Sequence, residues 1–107
     1  MADKYTYHQN LLEMIPSVAA ESVVSRSLFK NESMDVTLFG FAKGQALTEH
    51  TSPYTAVIEV LKGELLLTLG GEKVKAGPGS WTLMPPDLPH ALFAETEVIM
   101  LLTMVRK

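Results

Sequence analysis

From Ser22 to the end of the chain, short runs of β-branched and other apolar residues recur at roughly eight- to twelve-residue intervals, each closed by glycine, proline or a polar turn. No helical stretch long enough for a parallel crossover lies between them, so the strands are expected to pair antiparallel in an all-β sandwich or barrel. Residues 23–29 and 34–42 are two such runs, divided by Lys30-Asn31-Glu32-Ser33. Residues 56–60 and 64–68 follow, joined through Leu61-Lys62-Gly63, which is expected to be a hairpin with Gly63 free to take positive φ. Gly70-Gly71 should fold residues 64–69 back on 73–75, and Gly77-Pro78-Gly79 turns the chain into 80–84. Residues 98–105, VIMLLTMV, are almost wholly apolar on both strand faces.

That last run has a consequence. A barrel strand has one face inside and one outside, so an apolar outer face must be covered. A homodimer is the simplest cover; the alternative is that the N-terminal arm covers it within one subunit. The arm itself, residues 1–21, is polar and then mildly apolar, with one helical turn expected over 10–15 before Pro16 ends it. The barrel domain is expected over 22–107.

Two histidines stand at matching strand-and-turn junctions. His50 precedes the run at 56–60, and His90 follows Pro85-Pro86-Asp87-Leu88-Pro89, where prolines fix φ and stiffen the loop. Imidazole nitrogen suits Zn, Cu, Fe and Ni, so the pair can nucleate a divalent-metal site, whereas protein metal sites usually have three protein ligands. Candidates for a third are Gln45, a weak neutral ligand; Glu49, which faces outward by alternation unless a bulge turns it inward; His8 from the arm; and Asp87. Without a metal, the same histidines would bind water or an anionic or hydroxyl-bearing ligand.

Counted from Gly44 and Gly79, these positions resemble the two motifs of the cupin superfamily. Gly44, His50 and Gly63 fall on the first motif, G-x5-H-x-H-x(3 or 4)-E-x6-G; Gly79, Pro85 and His90 fall on the second, G-x5-P-x-G-x2-H-x3-N. The second His falls on Ser52, the Glu on Ala56, the Gly on Asp87 and the Asn on Ala94. The resemblance implies a cupin jelly-roll barrel of small, single-domain type, with Ala56, Ile58 and Val60 facing inward and Glu59 outward. It also implies a divalent metal (Zn, Fe, Ni, Cu or Mn) at His50 and His90 with an incomplete ligand set. Ser52, Gln45, Tyr54 and Trp81 are the expected ligand-binding residues around it. The function expected is binding of a small organic molecule in the barrel. A metal-dependent enzyme of dioxygenase, isomerase or decarboxylase type is the alternative.

Composition narrows the remaining classes. The chain has 107 residues, no cysteine and a net charge of -3, with its nine Lys and Arg scattered. Disulfides and thiolate metal sites are excluded, and no basic stripe favours nucleic acid. No apolar run approaches the ~20 residues of a membrane helix, and the first residues do not read as a secretory signal, so a cytoplasmic location is expected.

Overall fold

The computed structural model describes residues 4–106. Among these residues, nine strands form two antiparallel sheets: β1 (Val23–Lys30), β2 (Met34–Phe41), β3 (Ala46–His50), β4 (Thr55–Lys62), β5 (Leu65–Leu69), β6 (Glu72–Ala76), β7 (Trp81–Met84), β8 (His90–Ala94) and β9 (Val98–Val105). The order is β1-β2-β9-β4-β7 in one sheet and β3-β8-β5-β6 in the other. We call them the five-stranded and four-stranded sheets.

Alternation decides which residues fill the space between them. Ala56, Ile58 and Val60 of β4, Leu65 and Leu67 of β5, Leu92 and Ala94 of β8, and Val98 and Met100 of β9 are buried together, as a two-residue period requires of inner-facing positions. Phe39, Leu69, Leu88, Leu102 and Met104 pack against this core but stay partly exposed. Most of these belong to one end of the sandwich: Met104 near the end of β9, Leu69 at the end of β5, Leu88 just before β8. We call this end of the sandwich the mouth.

The connection at residues 61–63 is not a hairpin. β4 pairs with β7 and β9, whereas β5 pairs with β6 and β8, so the chain crosses there from one sheet to the other. Gly63 is still required, for a different reason: at φ +87, a Cβ would lie 2.0 Å from the Glu97 carbonyl oxygen. The Gly70-Gly71 turn does join a true hairpin, pairing Leu65 with Ala76 through Leu69 with Glu72.

The N-terminal segment covers part of the outer face of the five-stranded sheet. A single helical turn, α1 (Leu11–Met14), is capped by Asn10, whose Oδ1 accepts from Leu12 N at 3.1 Å. Beyond it Ile15 is buried with Leu38 and Ile99, and Leu11, Met14, Val18, Leu28, Leu61 and Leu101 complete this second cluster. Gly40 makes the close approach possible, since a Cβ there would meet Val18 and Ile15 methyls at 2.8 and 2.9 Å. Glu97 fastens the segment: its Oε1 accepts from Val18 N at 2.9 Å, while Oε2 meets Lys62 Nζ at 2.8 Å. The arm thus supplies within one chain some of the cover that the apolar β9 needs.

Candidate functional site

The mouth is where strand ends from both sheets converge. β3 ends at His50, β8 begins at His90 and β5 ends at Leu69; β2 begins at Met34, β4 at Thr55, and β7 and β9 finish at Met84 and Val105. His50 and His90 are direct cross-strand partners, and His90 also pairs with Leu69. His90 shares the inner-facing parity of Leu92 and Ala94 and is only 8% exposed; His50, beside it, is open to solvent at the rim.

The two rings lie edge to face with centroids 4.2 Å apart. Each is anchored the same way. His50 Nδ1 is 2.8 Å from the Thr48 carbonyl oxygen, and His90 Nδ1 is 2.8 Å from that of Leu88. A carbonyl oxygen only accepts, so each Nδ1 carries the proton. In the neutral rings this leaves both Nε2 atoms with free lone pairs, the tautomer that suits metal ligation or acceptance of a hydrogen bond.

The two histidine-bearing loops are tied together. Ser52 O accepts from Asp87 N at 2.8 Å, linking the loop after β3 to the loop before β8, while Ser52 Oγ accepts from Tyr54 N at 3.2 Å. Ser52 therefore shapes the loop. Asp87, on the glycine position of the motif it resembles, takes the conformation that glycine would, at φ +66.

Tyr54 does stand at the mouth, with Arg106 Cζ 5.8 Å from its ring centroid. Trp81 does not line the interior. It is the cross-strand partner of Glu59, and this register puts both on the outer face, where Trp81 is 61% exposed; Leu83 is outward as well. Gln45 also lies away from the histidines. It precedes β3, and its carbonyl accepts from Ala94 N at the far end of β8, so about 15 Å of strand separates it from His50. Ala56 is inward and buried, as expected, and Glu59 outward.

Tested as a metal centre, the site brings two potential donors together, the Nε2 atoms of His50 and His90. Among the described residues no group of three His, Cys, Asp or Glu converges, so Glu49, His8 and Asp87 do not complete it. Reasoning from sequence missed two other mouth residues, Asp35 and Arg106. Their side chains form an ion pair between β2 and the residue that follows β9. They lie 71 positions apart, so only the β2–β9 pairing brings them together.

A two-sheet antiparallel barrel with histidines at one open end is a cupin architecture. The cupin-domain sequence model matches residues 37–106, and the chain belongs to that family. Solved structures agree. A conserved protein of unknown function from Streptococcus pyogenes is 28% identical, covers 98% of this chain and 91% of its own, and superposes with a TM-score of 0.87. A cupin 2 conserved barrel domain protein from Leptotrichia buccalis is 31% identical over 90% of this chain and 46% of its own, at 0.84. A cupin superfamily protein from Desulfitobacterium hafniense, at 21% identity and 97% of both chains, supports the fold with a TM-score of 0.87. No curated protein matches. No helix among the described residues is long and apolar enough to cross a membrane.

Proposed function

We propose that this cupin binds a small organic molecule at the mouth of its barrel, with the His50–His90 pair as its polar end. The observation that carries this reading is the shared anchoring of the two rings. Both Nδ1 atoms are spent on backbone carbonyls, and both Nε2 lone pairs stay available, beside an inner wall of Leu69, Leu88, Leu102 and Met104. An apolar cavity with a few fixed polar groups is the ordinary character of a small-molecule site.

A divalent transition metal would be held by the Nε2 atoms of His50 and His90, its remaining positions filled by oxygens of the ligand or water, and would supply Lewis acidity there. Among the described residues no third ligand comes from the groups that usually serve. The test is elemental analysis of untagged protein, with zinc and nickel titrations of the parent, His50→Ala and His90→Ala. The expected result is weak binding of one equivalent that either substitution abolishes. Metal retained by both variants would overturn the placement.

We also propose that the active form is a homodimer. The arm leaves part of the outer face bare, along the lateral row Phe29, Val36, Thr103, Val57 and Leu83. The surface is 6700 Å², where a monomer of 11.8 kDa is expected to expose about 5,900 Å². The surplus is of the order of one partner's share in a standard interface, about 800 Å².

A further inference from the structure

Opposite the histidines, the five-stranded sheet brings a charged pair to the same mouth. Asp35 is the second residue of β2 and pairs with Met104, which in turn pairs with Ala56, and Ala56 with Met84. Met104, Ala56 and Met84 all belong to the core or pack on it, so this row faces inward, and Asp35 with it. Ala56 stands where the family motif has a carboxylate. The same inward row does carry one, two strands away, about 10 Å across the sheet.

Asp35 is incompletely satisfied. Its Oδ2 accepts from Arg106 Nη2, but its Oδ1 is buried with no partner. Arg106 Nε is buried and unpartnered as well. Tyr54 lies against the guanidinium, and the loop carrying Tyr54 starts at His50. A buried naked acceptor and a buried naked N–H in one part-buried ion pair are costly unless something fills both. A hydroxyl does: its proton goes to Oδ1 and its lone pair accepts from Nε–H. An anionic group fits poorly against Oδ1, and an apolar group satisfies neither atom.

Building on the proposed function, we infer that Asp35 and Arg106 form a second polar subsite of the mouth, and that the ligand is hydroxyl-bearing, a polyol, sugar or hydroxy acid. One hydroxyl bridges Asp35 Oδ1 and Arg106 Nε while another polar group meets the histidine Nε2 atoms. Tyr54 closes over the guanidinium.

The experiment is an amide-shift NMR titration of the full chain with two matched pairs of probes, L-tartrate against succinate and D-glycerate against propionate. In at least one pair the hydroxylated member is expected to bind at least tenfold more tightly. That preference should fall below threefold in Asp35→Asn. The double variant Asp35→Leu/Arg106→Leu, which replaces the ion pair by apolar side chains and so leaves no lone buried charge, should lose it too. His50→Ala should weaken both members of a pair alike. Equal affinities within both pairs would mean that the two orphan atoms hold only water, and would overturn the inference. So would a preference that survives both variants, or no binding of any probe at millimolar concentration. A hydroxyl preference that His50→Ala leaves untouched in strength would instead uphold this subsite and sink the histidine reading.

Discussion

His50 and His90 face each other across adjoining strands with their ring centroids 4.2 Å apart, and each spends its Nδ1 on the carbonyl two residues before it. This sets the tautomer. When neutral, both rings should carry the proton on Nδ1, and long-range proton–nitrogen NMR correlations should show an unprotonated Nε2 in each. Protonation on Nε2 in either ring would mean that its lone pair is turned toward the backbone, and the site could not ligate as proposed.

Gly40 is the seat of the arm, because Ile15 and Val18 methyls occupy the space that a Cβ would need. Gly40→Val should therefore lift the segment off Leu38 and Ile99 and destabilise the fold by about 1–3 kcal/mol, as overpacking does elsewhere. Urea unfolding gives the magnitude. Limited proteolysis should cut the variant near Pro16 faster than the parent; equal rates would show that the arm's contacts are not those described.

Glu97 links the arm to pH. Its hydrogen bond from Lys62, then that from Val18 N–H, holds its carboxyl below the usual glutamate value. A carboxyl with a depressed folded pKa contributes stability that is fully present above its unfolded value, about 4.3, and is lost as pH falls through the lower folded one. Below pH 4 the arm should loosen while the barrel persists, seen as faster amide exchange at Val18. Glu97→Gln should flatten this dependence, and a parent profile unchanged down to pH 3 would exclude the link.

The strand series and the histidine pair were legible in the sequence because both depend on local signals: turn residues at regular spacing, and His50 and His90 at fixed distances from Gly44 and Gly79. Pairing was not. Leu61-Lys62-Gly63 has the chemistry of a hairpin, yet the same residues serve a crossing between sheets, and only the neighbours of β4 and β5 tell the two apart. Trp81 looked like cavity lining because it is large and apolar; its side is decided by its register against Glu59. Asp35 and Arg106 gave no local signal beyond a charge at each strand's mouth end.

Two positive-φ positions should respond oppositely to substitution. Asp87→Gly should be neutral or stabilise by about 1 kcal/mol, since φ +66 costs an L-residue roughly that much more than glycine. Gly63→Ala sets a Cβ against the Glu97 carbonyl and should lower the thermal midpoint sharply or prevent folding. Calorimetry on the two variants checks both signs. A tolerated Gly63→Ala would show that the crossing between the sheets is looser than its 2.0 Å approach requires.

The bare outer row tests assembly. Leu83 is 48% exposed and Trp81 61%, next to Val57 and Thr103 on a face that the arm covers only in part. A second copy is the partner that this self-complementary kind of face suits, since a two-fold axis sets each residue of the row against the same row. Light scattering at micromolar concentration should give twice the 11.8 kDa chain mass. Leu83→Asp, which places a charge in the middle of that contact, should give the monomer with its barrel intact by circular dichroism. A parent that is already monomeric at 100 µM would leave the row a solvent-facing surface and end the dimer proposal.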